Sequence, residues 1–446
     1  MNRRDFCNLA AAVPLAAALT PRSGWAATAS PLSLPLASAS SLPFTFLGTF
    51  NLPQSNIWQY GAGALSVSNG VIYANGLDQG TLYMGAAAIP SSFNGGTASV
   101  VTDQTAISTS GATLGNNPVC TGSLVYNNKL YVTGAMSYDA SGTQAGFMTN
   151  MNPNFTNQGA WSRAAGSAGN IDRMFSNSMN IVPAAWQPIL GGPAYVAGGP
   201  GGMAGLSIIS KQCCGYGFST FNPASVVSGG SVPLTEWLNY PFANTSGNGE
   251  QISVLSGYSP ATKSNWGGQA GDNYVSAYDR PIGCAFIPDG TRSLVFLHCH
   301  AYGPGGNPGS SPCGPGASGS NETPIAPDTK PYVRIQISAY DLASIVSNHQ
   351  SGGAPSAPRP YGWWELPVME TQLGGAANCP INHSWNSTAW AAYDPVAQSD
   401  GSHLLYVHNG YPGTIYVFKV GSLSAGGAPP PPPPVLPDPP SNVKVT

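Results

Sequence analysis

Two histidines flank a cysteine at the end of an apolar run, in the stretch SLVFLHCHAYG at residues 293–303. In a β-strand alternate side chains share a face, so His298 and His300 would point one way and Cys299 the other. Imidazole nitrogen is a ligand for Cu and Zn, which makes the two histidines candidate metal ligands. The competing interpretation is a strand end at which polar side chains hydrogen-bond the backbone of a loop.

The strand that carries these histidines belongs to a repeated pattern. Four segments share an order of apolar, apolar, aromatic, apolar or small, polar and small residues: VIYANG at 71–76, KLYVTG at 129–134, LVFLHC at 294–299 and LLYVHN at 404–409. Each segment follows a turn rich in Asn, Gly, Asp or Ser, and strand-like runs precede and follow it. A more divergent unit spans residues 191–221. The pattern predicts repeated units of three strands joined as hairpins.

A fourth, aromatic strand that ends at proline follows two of these units, at 234–242 and at 361–368. The N-terminal stretch FTFLGTFNLP, at 44–53, has the same character without three strands before it. The last unit ends near Val420 and lacks a fourth strand of its own. We therefore predict that the N-terminal strand completes the last unit, which is how a β-propeller closes its ring and removes exposed sheet edges.

With these repeats, the chain resembles the large group of secreted bacterial β-propeller proteins that have LYV-G type blade repeats. The resemblance covers roughly residues 43–420 and implies an architecture, not a functional family. The predicted fold class is all-β, a β-propeller of five blades closed by the N-terminal strand. Six or seven blades remain open because the units are unevenly spaced, and a β-sandwich with long loops is the structural alternative.

A propeller of this kind would bring distant residues to one face. The second strand of a blade ends on the face where the first strand begins, and ligands usually bind there, over the central channel. The predicted ligand-binding residues are Asn75, Thr133, His298, His300 and His408. The three histidines among them are the predicted ligands if a Cu or Zn ion is bound. His403 lies beside a turn and is predicted to be a surface group.

The first 29 residues have the features of an export signal peptide. Arg3 and Arg4 precede Phe6, an apolar run from about Leu9 to Leu19 is too short to span a bilayer, and Ala27-Thr28-Ala29 is a plausible cleavage site. The segment resembles a twin-arginine signal, although Cys7 stands where Leu is more typical; an ordinary secretory signal is the alternative. The mature protein is predicted to be periplasmic or secreted, without a transmembrane anchor.

Export permits disulfides, and the cysteine count limits them. The chain has eight cysteines, of which Cys7 lies in the signal, so the mature protein has an odd number and at least one free thiol. Cys299 and Cys313 flank a Gly/Pro-rich loop and are the predicted disulfide. Residues 423–446 are predicted to be a proline-rich linker and C-terminal tail.

Composition restricts the function further. Charged residues make up 7% of the 446 residues, and the formal net charge of −3 provides no electrostatic footprint for nucleic acid or an anionic membrane. Nucleophile-elbow, zincin, phosphate-loop and haem-attachment motifs are absent from the sequence. We therefore predict an extracytoplasmic binding or scaffold protein for a carbohydrate or an extracellular protein. The alternative is a secreted enzyme on the same face, either a metal-dependent oxidoreductase or a glycoside hydrolase or lyase.

Overall fold

A computed structural model describes most of the chain between residues 30 and 421. The described residues are 30–54, 58, 64–78, 81–107, 118–136, 145–151, 156–163, 178–198, 217–239, 280–301, 333–355, 357–366, 390–409 and 413–421. The predicted signal peptide and the predicted proline-rich tail lie outside this part of the chain. No helix within it is long and apolar enough to cross a bilayer.

The described residues form twenty-two strands and four short helical segments. The strands of the first half are β1 (Phe44–Asn51), β2 (Leu65–Ser68), β3 (Val71–Asp78), β4 (Thr81–Ala88), β5 (Asn94–Thr97), β6 (Ser99–Ala106), β7 (Pro118–Tyr126), β8 (Lys129–Met136), β9 (Ala145–Met151), β10 (Thr156–Arg163) and β11 (Ser178–Ile181). Those of the second half are β12 (Ala194–Gly198), β13 (Gly217–Phe221), β14 (Ser231–Val232), β15 (Thr235–Asn239), β16 (Arg280–Phe286), β17 (Ser293–Ala301), β18 (Val333–Asp341), β19 (Pro360–Glu365), β20 (Trp390–Tyr393), β21 (His403–Asn409) and β22 (Thr414–Val420). The helical segments are two 3-10 turns (Pro31–Ser33 and Pro223–Ser225), α1 (Gln187–Leu190) and α2 (Leu342–Gln350).

These strands pair into five sheets. We number them along the chain: sheet 1 is β2-β3-β4-β6, sheet 2 is β7-β8-β9-β10-β14, sheet 3 is β11-β12-β13-β15, sheet 4 is β16-β17-β18-β19, and sheet 5 is β20-β21-β22-β1-β5. The innermost strands β2, β7, β11, β16 and β20 each contact the next, and β20 contacts β2 again. The sheets therefore form a closed ring, and the predicted all-β propeller is confirmed.

Tight two-residue turns join the first and second strands of sheets 1 and 2. Asn69 and Gly70, and likewise Asn127 and Asn128, have positive φ angles of 51°, 71°, 48° and 58°. Two successive residues in the left-handed region make a type I′ turn, whose twist matches that of the flanking strands. Asn and Gly tolerate this backbone best, so the turn residues fix these hairpins locally.

The N-terminal strand closes the ring as the sequence predicts. β1 runs antiparallel to β22, from Phe44 opposite Val420 to Asn51 opposite Thr414. A bulge interrupts the pairing near Gly48, which has a φ of 132° and lies so close to the Phe93 carbonyl that a Cβ there would overlap it. Opposite ends of the chain thus complete one sheet, and the ring has no free end at this point.

The hydrophobic core lies between neighbouring sheets, because each sheet buries both of its faces. The tyrosine in the middle of the second strand packs towards the following sheet in four of the five sheets: Tyr73, Tyr131, Tyr195 and Tyr406. In sheet 4 the aligned residue, Phe296, packs towards the preceding sheet, while Val295 and Leu297 face sheet 5. The repeat alignment is therefore one residue out of register in sheet 4, so His298 is not the positional counterpart of His408.

Candidate functional site

An axial cavity lies where the five innermost strands meet. It is small, with about 20 Å³ of space for the centre of a water-sized molecule, which is room for about one water. Its lining comes from every sheet: Leu65, Ser66, Val67, Leu124, Val125, Ser178, Met179, Asn180, Ile181, Cys284, Ala391, Ala392, Tyr393 and Pro395. Residues far apart in sequence thus share one small volume, as the propeller prediction requires.

Polar side chains in the wall of this cavity bridge the sheets. The Ser123 hydroxyl donates to Ser66 Oγ at 2.9 Å, which joins sheet 2 to sheet 1. The Asn180 amide donates from Nδ2 to the Tyr393 carbonyl oxygen at 3.1 Å. Because β11 and β20 are not neighbours in the ring, this hydrogen bond crosses the axis. Asn180 therefore narrows the cavity and joins sheets 3 and 5 directly.

The described lining of the cavity carries no charged side chain. Burial raises the pKa of the Cys284 thiol, and burial followed by the nearby Asp289, Asp394 and Cys284 raises the pKa of Tyr393, so both stay neutral. The Tyr393 hydroxyl has no hydrogen-bond partner among the described residues. The wall thus combines apolar surface with hydroxyl and amide groups.

Asn75 and Thr133, two of the predicted ligand-binding residues, are buried inside their strands. Asn75 Oδ1 accepts a hydrogen bond from the Ala64 backbone N–H at 2.7 Å. Thr133 Oγ1 lies 3.1 Å from Thr121 Oγ1, which donates to it, and 3.4 Å from the Gly122 carbonyl oxygen. Both side chains hold the second strand of their sheet against the innermost strand, and neither belongs to the described cavity lining.

His408 lies opposite Trp390, near the beginning of the innermost strand of sheet 5. Its side chain is fully buried, and neither ring nitrogen has a hydrogen-bond partner among the described residues. Burial lowers the pKa of His408 to about 3, because the charged form would lose its hydration. His408 is therefore a neutral imidazole at pH 7, and the described residues leave both of its ring nitrogens without a partner.

The backbone of the HCH stretch lies in β17, where His298 pairs with Pro281 and Gln336, and His300 pairs with Arg334. The side chains of His298, Cys299 and His300, and all of Cys313, fall outside the described residues. The predicted metal ligands and the predicted disulfide therefore stay predictions. In the described part of the chain, no three His, Cys, Asp or Glu side chains are grouped to hold a metal, and Cys120 and Cys284 are free, buried thiols.

The sequence prediction for His403 is wrong. Its side chain is buried at the seam between sheets 4 and 5, next to Asp289 and stacked on Tyr393 at a centroid distance of 5.0 Å. The alternation of side chains along β21 could have predicted this burial, because His403 shares its face with Leu405 and Val407, which pack towards sheet 4. Its position beside a turn suggested a surface group, but the strand already begins at this residue.

Among known proteins, only solved structures are similar to this chain. Neither a protein-family model nor a curated protein matches the sequence. The chain is similar to an endo-arabinase from Bacteroides thetaiotaomicron, with 10% identity over 84% of this chain and 99% of that one, at a TM-score of 0.39. It is also similar to a GH43_1 enzyme from Xanthomonas citri complexed with xylose, with 12% identity over 88% and 98% of the two chains, at a TM-score of 0.39. A third structure, an exo-1,5-alpha-L-arabinanase from a bovine ruminal metagenomic library, has 9% identity over 80% and 92%, at a TM-score of 0.34.

Proposed function

We propose that the protein is an exported β-propeller that binds an uncharged carbohydrate over the ring axis. The observation that supports this most is the described lining of the axial cavity, to which all five sheets contribute and which carries no charge. A neutral sugar presents hydroxyl groups and apolar ring faces, and it is matched by uncharged donors and acceptors set in apolar surface. A phosphate or a carboxylate ligand would need cationic partners.

The ligand is proposed to lie over the upper face of the ring, where the innermost strands begin; the cavity continues the axis below it towards the other face, where Val67, Val125 and Pro395 stand at the ends of the innermost strands. The second strands end at the upper face, and so do β15 and β19, the outer strands of sheets 3 and 4. The sequence segments 240–279, 302–332 and 367–389 therefore connect strand ends of this one face.

Binding to neutral oligosaccharides tests this proposal. Natively exported protein is expected to bind members of a neutral glycan array without releasing product. Changing Asn180→Ala removes the amide that reaches across the axis and is expected to weaken binding about three- to tenfold, the worth of one hydrogen bond. Asp400→Asn, a change at an exposed surface ion pair, is the matched control and is expected to leave affinity unchanged. Binding restricted to charged glycans or to protein partners contradicts the proposal.

A second candidate function is a metal-dependent enzyme, and His408 is the observation that favours it. A buried, neutral imidazole, whose nitrogens have no partner in the described part of the chain, is in the protonation state that Cu and Zn require. Metal analysis of natively exported protein is expected to give about one Cu or Zn per chain in this case, lost in His408→Gln. Metal-free protein that binds glycans excludes this candidate, and release of new reducing ends identifies a glycoside hydrolase instead.

We also propose export through the twin-arginine route into the periplasm or the medium. A pair of conservative changes, Arg3→Lys and Arg4→Lys, is expected to leave uncleaved precursor in the cytoplasm, because that pathway requires both guanidinium groups. Fractionation followed by mass spectrometry of the mature N-terminus measures both outcomes and locates the cleavage site. Unchanged export of the double variant identifies an ordinary secretory signal.

A further inference from the structure

His403 lies buried where the last sheet meets the one before it. It is the first residue of β21 in sheet 5, and Asp289 belongs to the turn between β16 and β17 in sheet 4. The distance from His403 Nε2 to Asp289 Oδ2 is 3.3 Å, and that from His403 Nδ1 to the Asp394 carbonyl oxygen is 3.0 Å. The imidazole thus bridges two sheets that the chain joins through residues 366–389.

Nδ1 of His403 is within hydrogen-bond distance of the Asp394 carbonyl oxygen, whereas Nε2 lies beside the Asp289 carboxylate at ion-pair distance without hydrogen-bond geometry. A neutral imidazole can donate its one N–H to the Asp394 carbonyl, and an imidazolium in addition carries the charge that Asp289 attracts. Burial lowers the pKa of His403, but Asp289 and Asp394 outweigh it, so that the net pKa is raised from 6.5. The surroundings of this side chain therefore favour its charged form.

Few titratable groups of the described residues surround His403. Asp289 faces it from the turn of sheet 4, and Tyr393 and Asp394 face it from β20 and the residue after it. On β22, its strand partner Val420 is apolar, and the adjacent Lys419 is paired with Asp400. Asp289 is therefore the anion that the imidazolium neutralises across the seam.

The seam is coupled to the axial cavity through Tyr393. Its ring stacks between His403 and Phe286, which it meets at a centroid distance of 4.2 Å and an interplanar angle of 6°. Its carbonyl oxygen accepts the hydrogen bond from Asn180 that crosses the axis. A change at His403 thus reaches a residue of the cavity wall through one aromatic contact.

We propose that His403 is a pH-sensitive latch, which ties sheet 5 to sheet 4 when it is protonated and releases Asp289 when it is not. The latch concerns the contact between sheets 4 and 5 and does not depend on the ligand. Because protonation favours the folded state, the contribution of the latch is complete below pH 6.5, the unfolded value, and is lost as the pH rises through the raised pKa of the folded protein. The protein is therefore expected to become less stable as the pH rises from 6.5 to 9.

Urea denaturation of the full mature chain between pH 6.5 and 9 tests the latch. The unfolding equilibrium constant of the wild type is expected to rise by about tenfold for each unit by which the folded pKa exceeds the unfolded one. His403→Gln cannot titrate and is expected to abolish this rise. Asp289→Asn, at a half-exposed carboxylate whose loss leaves the core intact, is expected to reduce it and to lower the pKa of His403 measured by NMR.

Asp400→Asn is the control, because it removes the exposed ion pair with Lys419 on the same sheet without touching His403. Its pH profile is expected to match that of the wild type. A pKa of His403 at or below 6.5 in the folded protein, or an equal pH dependence in the wild type and in Asp289→Asn, overturns the proposal. These measurements need no ligand, so they fail or succeed independently of carbohydrate binding.

Discussion

Replacing Phe50 by alanine is expected to destabilise the protein by about 3–5 kcal/mol, the usual cost of removing a fully buried aromatic side chain. Phe50 lies on the closing strand β1 with no exposed surface. Its ring meets Phe93 and Tyr406 at centroid distances of 6.2 and 6.3 Å, and it packs in the cluster between sheets 5 and 1. The substitution thus opens a cavity where the ring closes, and urea denaturation at pH 6.5 measures its effect.

Leu47→Ala is the matched control, since Leu47 lies on the same strand and is 40% exposed. The free energy of unfolding is expected to change by less than about 0.5 kcal/mol in this variant. An equal loss in the two variants would mean that β1 contributes through its backbone alone. A negligible loss in Phe50→Ala would contradict the buried closing strand.

Acidification is expected to destabilise the protein through His408. Its pKa is about 3 in the folded protein and 6.5 in the unfolded chain, so protonation favours unfolding in the interval between these values. The free energy of unfolding is expected to fall by roughly 1.4 kcal/mol for each pH unit below 6.5, on account of this side chain alone. Urea denaturation at pH 6.5, 5.5 and 4.5 measures the slope.

His408→Leu replaces the titrating group by an apolar side chain of similar size. The free energy of unfolding of this variant is therefore expected to lack the fall of about 1.4 kcal/mol per pH unit below pH 6.5. His349→Leu changes an exposed histidine and serves as the control with an unchanged slope. Equal acid sensitivity of wild type and His408→Leu would contradict the buried, neutral imidazole.

The two histidines of β21 act in opposite directions. The latch at His403 is lost above pH 6.5, and burial of neutral His408 becomes costly below it. Stability is therefore expected to be greatest near pH 6.5, where the first histidine is still charged in the folded protein and the second is neutral.

The fold could be predicted because its signals are local and repeated. Turn residues such as Asn69 and Gly70 fix the hairpins, and the aromatic N-terminal strand lacks partners of its own and must find them elsewhere. Its pairing with β22 bears out the closure inferred from the missing last strand. The turn residues and the repeated strand patterns are thus sufficient to predict the architecture.

The register of sheet 4 could not be read from the repeat. Tyr406 follows the turn residue Gly401 by an odd number of positions, whereas Phe296 follows Gly290 by an even number. Because side chains alternate along a strand, this difference of parity moves the aromatic ring to the other face of its sheet. Aligning the strands on their aromatic residues conceals the shift, and the equivalence of His298 and His408 was inferred from that alignment.

The candidate site was predicted only in outline. The ring brings the innermost strands together as expected, but Asn75 and Thr133 bind backbone or neighbouring hydroxyl groups within their own sheets. Tyr393 and Asn180, which do line the axis, lie in short strands whose polar residues carry no distinguishing spacing. A contact across the axis, such as that of Asn180 with Tyr393, depends on how strongly the ring of sheets curves. A local sequence pattern does not encode that curvature.

Hydrogen–deuterium exchange with and without the neutral oligosaccharide that binds best is the most direct test of the central claim, that the five sheets converge on one site. We expect the ligand to slow exchange in β2, β11 and β20 together, because these strands from three sheets surround the same cavity. Slower exchange confined to a single sheet or to outer strands such as β6 would contradict a binding site on the axis.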